Sequence, residues 1–142
     1  MHRGYSLAEL AIVLAVIGLV TALALPIWGR LLDRIAVERA ASEVTTALAV
    51  TRNAAVLRAT RARLSIAADS LWIDEWGDRT WLPVWRWPGP ESHSVSLEVS
   101  NGTVIFGATG IGWGASNTTV VLRRGTQTAK ITTSRVGRVK RW

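Results

Sequence analysis

Tyr5-Ser-Leu-Ala-Glu9-Leu-Ala-Ile-Val-Leu-Ala-Val-Ile-Gly18-Leu-Val-Thr21-Ala-Leu-Ala-Leu25-Pro26 is the stretch whose reading decides the fold. From Leu10 to Leu25 it is apolar, interrupted only mildly by Gly18 and Thr21. At 1.5 Å per residue that run covers roughly 24 Å, and Leu7, Ala8, Ile27 and Trp28 extend it toward the thickness of a bilayer core. The pattern predicts a membrane-spanning helix over 5–28, with the core helix of a soluble protein as the alternative. Met1-His-Arg3-Gly4 is too short for the charged front of a secretory signal.

Glu9 sits just inside the apolar run. A carboxylate there costs about 2.5–3.5 kcal/mol at a helix centre and less near an end, so it calls for a partner. If the chain is cut after Gly4, a new ammonium appears on Tyr5, one helical turn from Glu9. That amine, or the one on a neighbouring copy, is one expected partner for the acid. A side chain snorkelling to the membrane surface is the other account.

The short basic leader ending in Gly4, followed by Tyr5, Ser6, Leu7, Glu9 and Pro26 in fixed register, resembles a type IV prepilin. Phe is usual where this chain has Tyr5, and Ile where it has Ala8. The resemblance implies that prepilin peptidase removes leader 1–4, that Tyr5 becomes the methylated N-terminus, and that Glu9 and Pro26 serve assembly with other pilin-like subunits. It also implies a single-pass protein of the bacterial inner membrane with a periplasmic globular domain. Charge alone does not give that orientation: Arg3 precedes the run, but Arg30, Arg34 and Arg39 follow it.

The chain has 142 residues, enough for one membrane helix and one small domain. It has no Cys, hence neither a disulfide framework nor a thiolate metal site. His2 and His93 are the only histidines, which excludes a multi-histidine metal site within one chain, and nothing calls for a cofactor. Net charge is +7. Acids and bases cancel through Glu98; beyond it there is no acid, and Arg123, Arg124, Lys130, Arg135, Arg138, Lys140 and Arg141 carry the whole excess. A one-sided basic end points to an anionic partner, nucleic acid or lipid headgroups, or to a solvated tail.

Past Pro26, which is expected to kink the helix by freeing the carbonyl of Ala22, helical spacing continues in Trp28, Leu31, Leu32 and Ile35. It falters at Glu38-Arg39 and resumes with Ala41, Val44, Leu48 and Ala55. One helix of about 80 Å is therefore expected from about Tyr5 to Thr60, with 29–60 amphipathic and packed on the domain that follows. From 61 to 142 the period is two. Leu64 and Ile66, Leu71 and Ile73, and Val95, Leu97 and Val99 alternate with polar residues. Asn101-Gly102 predicts a tight hairpin joining Val95–Val99 to Thr103–Phe106. A second hairpin is predicted from Thr118–Leu122 to Ala129–Thr133 across Gly125, and Val136 with Val139 suggests a last short strand. The fold class is α+β: a long N-terminal helix on a small antiparallel β domain with a basic C-terminal tail. Thr51-Arg-Asn-Ala-Ala55, the Phe106 to Gly110 element and Gly137-Arg-Val139 resemble the GspH/FimT branch of minor pilins and pseudopilins.

Gly107-Ala-Thr-Gly110-Ile-Gly112-Trp-Gly114 lacks the Lys-Ser/Thr of a Walker loop and leads toward a strand, so it reads as a β connection. Trp72, Trp76, Trp81, Trp85 and Trp87 crowd a stretch that also holds Pro83, Pro88 and Pro90. That is an irregular or edge segment whose rings cover the sheet, meet a neighbouring subunit, or stack bases or sugars. Asp74, Glu75 and Asp78 match no calcium loop. His93 lies beside Ser92 and Ser94 without a nucleophile motif, so no catalytic residue is assigned.

The tail, Arg135, Arg138, Lys140, Arg141 and Trp142, is the candidate nucleic-acid-binding segment. If extended, it aims Arg138 and Lys140 to one face, where their phosphate contacts would be sequence-independent and weakened by salt. Trp142 would stack an unpaired base. FimT-like proteins are associated with DNA binding through a Gly-Arg-x-Arg element; here it reads Gly137-Arg138-Val139-Lys140. Three functions follow: an assembly subunit of a type II secretion or type IV pilus-like system, a DNA-binding minor pilin, or an unprocessed accessory subunit of another membrane complex.

Overall fold

The computed structural model describes residues 6–114 and 116–142. Leader 1–4 and Tyr5 lie outside the described residues. Helix α1 runs Leu7–Leu57 with Pro26 inside it. The chain divides after Leu32 into two compact units. In the first, side chains from Leu7 to Leu32 are exposed apart from the half-buried Ala24. This helix is long and apolar enough to cross a membrane.

In the second unit the buried stripe of α1 is Ala36, Val37, Ala40, Ala41, Val44, Ala47, Leu48, Thr51 and Ala55. Their three- and four-residue spacing keeps one face inward. The stripe does not falter at Glu38-Arg39, because Val37 and Ala40 carry it on either side. Trp28, Leu31, Leu32 and Ile35, expected in the same stripe, are exposed. The Thr51 hydroxyl enters the core by donating to the Ala47 carbonyl at 2.6 Å.

Eight strands follow among the described residues: β1 Ala62–Ile66, β2 Ser70–Gly77, β3 Thr80–Pro88, β4 Ser96–Val99, β5 Thr103–Phe106, β6 Thr118–Arg124, β7 Gln127–Thr133 and β8 Val139–Arg141. They form two antiparallel sheets, β3-β2-β1-β5 and β4-β6-β7-β8. Leu64, Ile66, Leu71, Ile73, Val104 and Phe106 of the first and Val120, Leu122, Ala129 and Ile131 of the second join the helix stripe in one core. Each fully buried Leu or Ile side chain contributes about 1.5–3 kcal/mol of transfer free energy.

The hairpin across Gly125 forms as expected, with Arg124 opposite Gln127 and Gly125 at φ +54. The hairpin at Asn101-Gly102 does not form. Strand β4 pairs with β6, and β5 pairs with β1. The Ser100 N–H donates to Thr119 in one sheet, while the Gly102 carbonyl accepts from Ile66 in the other. Asn-Gly thus turns a corner between sheets, its bend stabilised by the Thr103 N–H donating to Asn101 Oδ1 at 3.1 Å. Val136 lies in the turn before β8 rather than in a strand.

Candidate functional site

Ser6 and Glu9 cap α1 reciprocally. The Ser6 N–H donates to Glu9 Oε2 at 2.9 Å, and the Glu9 N–H donates to Ser6 Oγ at 3.2 Å. This is a capping box, which satisfies two orphan donors at a helix start. Its sequence signature is Ser6-x-x-Glu9, which charge and hydropathy alone do not bring out. Glu9 therefore has a local partner within the described residues, while Tyr5 falls outside them.

The basic end is sorted by strand alternation. In β7, Ala129, Ile131 and Thr133 point inward and Thr128, Lys130 and Thr132 outward. Lys140 pairs opposite Thr132, which puts it on the outer face; Arg141 pairs opposite Ile131, which puts it on the inner one. Arg141 accordingly forms an ion pair with Glu38 of α1. Arg135, Arg138 and Lys140 line one open groove of ≈ 480 Å³ at the end of the second sheet. Ser100, Asn117, Thr118, Thr119, Thr132, Thr133 and Ser134 complete its wall, which contains no acid. The Thr133 hydroxyl is buried and has no hydrogen-bond partner among the described residues. The Trp142 ring lies under the Lys140 ammonium, 3.5 Å from Nζ to the ring centroid. Of the five tail residues, three share the groove, Arg141 faces the helix, and Trp142 packs on Lys140.

Gly137 shapes this end. Its φ is +74, and a Cβ there would lie 2.7 Å from the Gly110 carbonyl. Gly110, at φ +73, would place a Cβ 3.0 Å from Arg52 Nε. The Gly-rich connection and the Gly-Arg-Val turn therefore meet over α1 through two left-handed glycines.

The tryptophans lie on and around edge strand β3, where Pro83 and Pro88 cost no ladder bond on the free side. Arg61 lies between Trp76 and Trp113, at 5.2 and 4.9 Å from the two centroids. Arg63 covers Trp81 at 4.5 Å and donates through Nε to Asp74 Oδ2 at 2.9 Å. Arg86 covers Trp72 at 5.1 Å. Trp85 and Trp87 stack at 5.6 Å. Glu75 pairs with Arg58 at 2.8 Å, so both Asp74 and Glu75 are engaged by arginines. His93 Nε2 lies 2.9 Å from Glu43 Oε1.

No protein-family model and no curated protein sequence matches the chain. Two solved structures do resemble it, both of the type IV minor pilin FimU from Pseudomonas aeruginosa strain PAO1. One superposes with a TM-score of 0.64 at 16% identity, covering 76% of this chain and 89% of the crystallised FimU chain. The other crystal form gives 0.61 at 16% identity, covering 74% and 91%.

The chain has a type IV pilin-like fold.

In this pilin-like fold a long apolar N-terminal helix precedes two antiparallel sheets, which agrees with the α+β class expected from the sequence. Sequence reasoning missed the residues of the second sheet that complete the groove, notably Thr119, Thr132 and Ser100. Their period-two spacing was available, but which strands became neighbours was not.

Proposed function

We propose that this chain is a non-catalytic minor pilin or pseudopilin-like subunit of the GspH/FimT branch. It is inserted as a single pass in the bacterial inner membrane with its domain in the periplasm. It assembles through α1 with other pilin-like subunits of a type II secretion or type IV pilus-like system. One observation carries the reading: apolar side chains from Leu7 to Leu32 stay exposed on a chain with a pilin-like fold. Such a surface is covered by lipid before assembly and by neighbouring helices after it. Prepilin peptidase cleaves after Gly4, and the Tyr5 amine formed there meets Glu9 of the same or a neighbouring subunit. The test is Glu9→Ala, scored by membrane fractionation and by crosslinking to partner subunits. Retained insertion with lost crosslinking is expected; normal crosslinking refutes the pairing.

A second reading, capture of DNA, is favoured by the convergence of Arg135, Arg138 and Lys140 on a groove without an acid. Retention of duplex DNA by the full chain in neutral detergent, lost in the triple alanine variant, is the outcome this reading requires. Equal retention by that variant refutes it.

A further inference from the structure

The second sheet ends on an edge that its hydrogen-bond pattern leaves open. Lys130 and Trp142 exchange backbone hydrogen bonds at 2.9 and 3.2 Å, and the Ser134 N–H donates to the Arg138 carbonyl at 2.9 Å. Bonded and non-bonded pairs alternate in an antiparallel ladder, so the N–H and C=O groups of Val139 and Arg141, opposite Thr133 and Ile131, point away from β7. β8 is the last strand of its sheet on that side. The first sheet closes its edges. Pro83 and Pro88 remove donors from β3. Beside β5, the Ile105 carbonyl accepts from the Trp113 N–H and from Ser116 Oγ, both at 2.8 Å. Helix α1 flanks the open edge. Between it and the start of β8 lies a cleft of ≈ 340 Å³, where Leu48, Ala49 and Phe106 adjoin Val139. Arg52 stands at its Gly137 end, with Nε 3.5 Å from where a Cβ on Gly137 would lie. No acid lines the cleft, and Arg52 forms no ion pair among the described residues. Arg141, further along the edge, is already neutralised by Glu38.

We propose that β8 receives an extended, acidic segment of a neighbouring pilin-like subunit as a fifth strand of the second sheet. The inference rests on the assembly reading above and names a contact for it in the domain. The outward backbone groups of Val139 and Arg141 supply main-chain hydrogen bonds, and alternate side chains supply selectivity. With a period of two, an apolar side chain opposite Val139 lies over Leu48 and Ala49. A carboxylate two residues along, on the same face, reaches the Arg52 guanidinium. A basic segment would meet Arg52 with like charge. The other outer strand of this sheet, β4, is a poorer site for an acidic strand, because it carries Glu98, paired with Arg123 at 3.3 Å.

The test uses the full chain in neutral detergent and an end-blocked peptide, Thr-Glu-Thr-Val-Thr-Glu-Thr. Its Val and both acids share one face, so it suits either strand direction. Binding is expected to slow amide exchange at Val139 and Arg141, read by NMR. Methylating alternate backbone nitrogens of the peptide, or replacing its Glu by Lys, should weaken binding about tenfold or more. Arg52→Gln, at an exposed helix position, should weaken the acidic peptide by about tenfold, the worth of one charge-assisted hydrogen bond. No binding at about 1 mM peptide, or equal binding of the methylated peptide, overturns strand addition. Equal binding of the Lys peptide overturns the acidic partner. These measurements contain no second subunit, so their failure leaves the assembly reading to its own Glu9→Ala test. The source of the strand is tested in native membranes. The chain has no Cys, so Ala49→Cys carries a single thiol in the cleft, to which a benzophenone is attached. Photocrosslinking to a pilin-like subunit, reduced by Arg52→Gln, is expected. Crosslinks to a second copy of this chain alone, or to no pilin-like subunit, overturn the neighbour as occupant.

Discussion

Asp33 and Arg124 join the helix to the β6–β7 turn: Arg124 Nε donates to Asp33 Oδ1 at 2.9 Å. The guanidinium also donates through Nη1 to the His93 carbonyl at 2.6 Å. Both side chains are about two-thirds buried, at 34% and 27% exposure, so solvent screens the pair only in part. Two further contacts follow along the same helix, Glu38 with Arg141 and Glu43 with His93. Asp33, Glu38 and Glu43 are thus the polar side of the contact that α1 makes with the domain.

Asp33→Ala is therefore expected to destabilise the domain by about 1–2 kcal/mol, between a surface pair and a fully buried one. Gly125→Ala acts on the same spot. Gly125 sits at φ +54, and a Cβ would lie 2.4 Å from Asp33 Oδ2. Chemical denaturation of both single variants and the double variant checks this. The double variant should be less destabilised than the sum of the two, because removing the Asp33 carboxylate relieves the clash.

Arg61 ties the Gly-rich connection to the first sheet by lying between Trp76 and Trp113. Arg61→Ala should cost about 0.5–2 kcal/mol and free Trp113, seen as a red shift of tryptophan emission and faster hydrogen exchange over 107–114. Unchanged exchange there would mean that the loop is held without the ring contact.

Gly137→Ala is expected to destabilise by about 1–3 kcal/mol, since it imposes a left-handed backbone on alanine and a close approach to the Gly110 carbonyl. On the DNA reading it also weakens retention, because it displaces Arg138. A melting temperature equal to wild type would show that the two glycine turns adjust independently.

Much of this molecule was legible in its residues, and the failures share one cause. Apolar continuity from Leu10 to Leu25 marked the helix, and alternation in Leu64-Ile66 and Leu71-Ile73 marked β1 and β2. Period two also places Arg138 and Lys140 on the groove, and carried one residue further it turns Arg141 away. Asn101-Gly102 misled because a hairpin turn and a corner between sheets use the same local bend; only the partners of β4 and β5 distinguish them. Burial of the helix from Ala36 onward, rather than from Trp28, likewise depends on where the domain begins to cover it. The stacking of Arg61 on two rings joins residues 15 and 52 positions away, which no local pattern encodes.

The central claim is that this chain is processed and assembled through its N-terminal helix, and mass spectrometry of its N-terminus from native membranes tests that most directly. The account predicts a chain beginning at Tyr5 and carrying an N-methyl group. An intact Met1 on protein found within an assembled complex would contradict it.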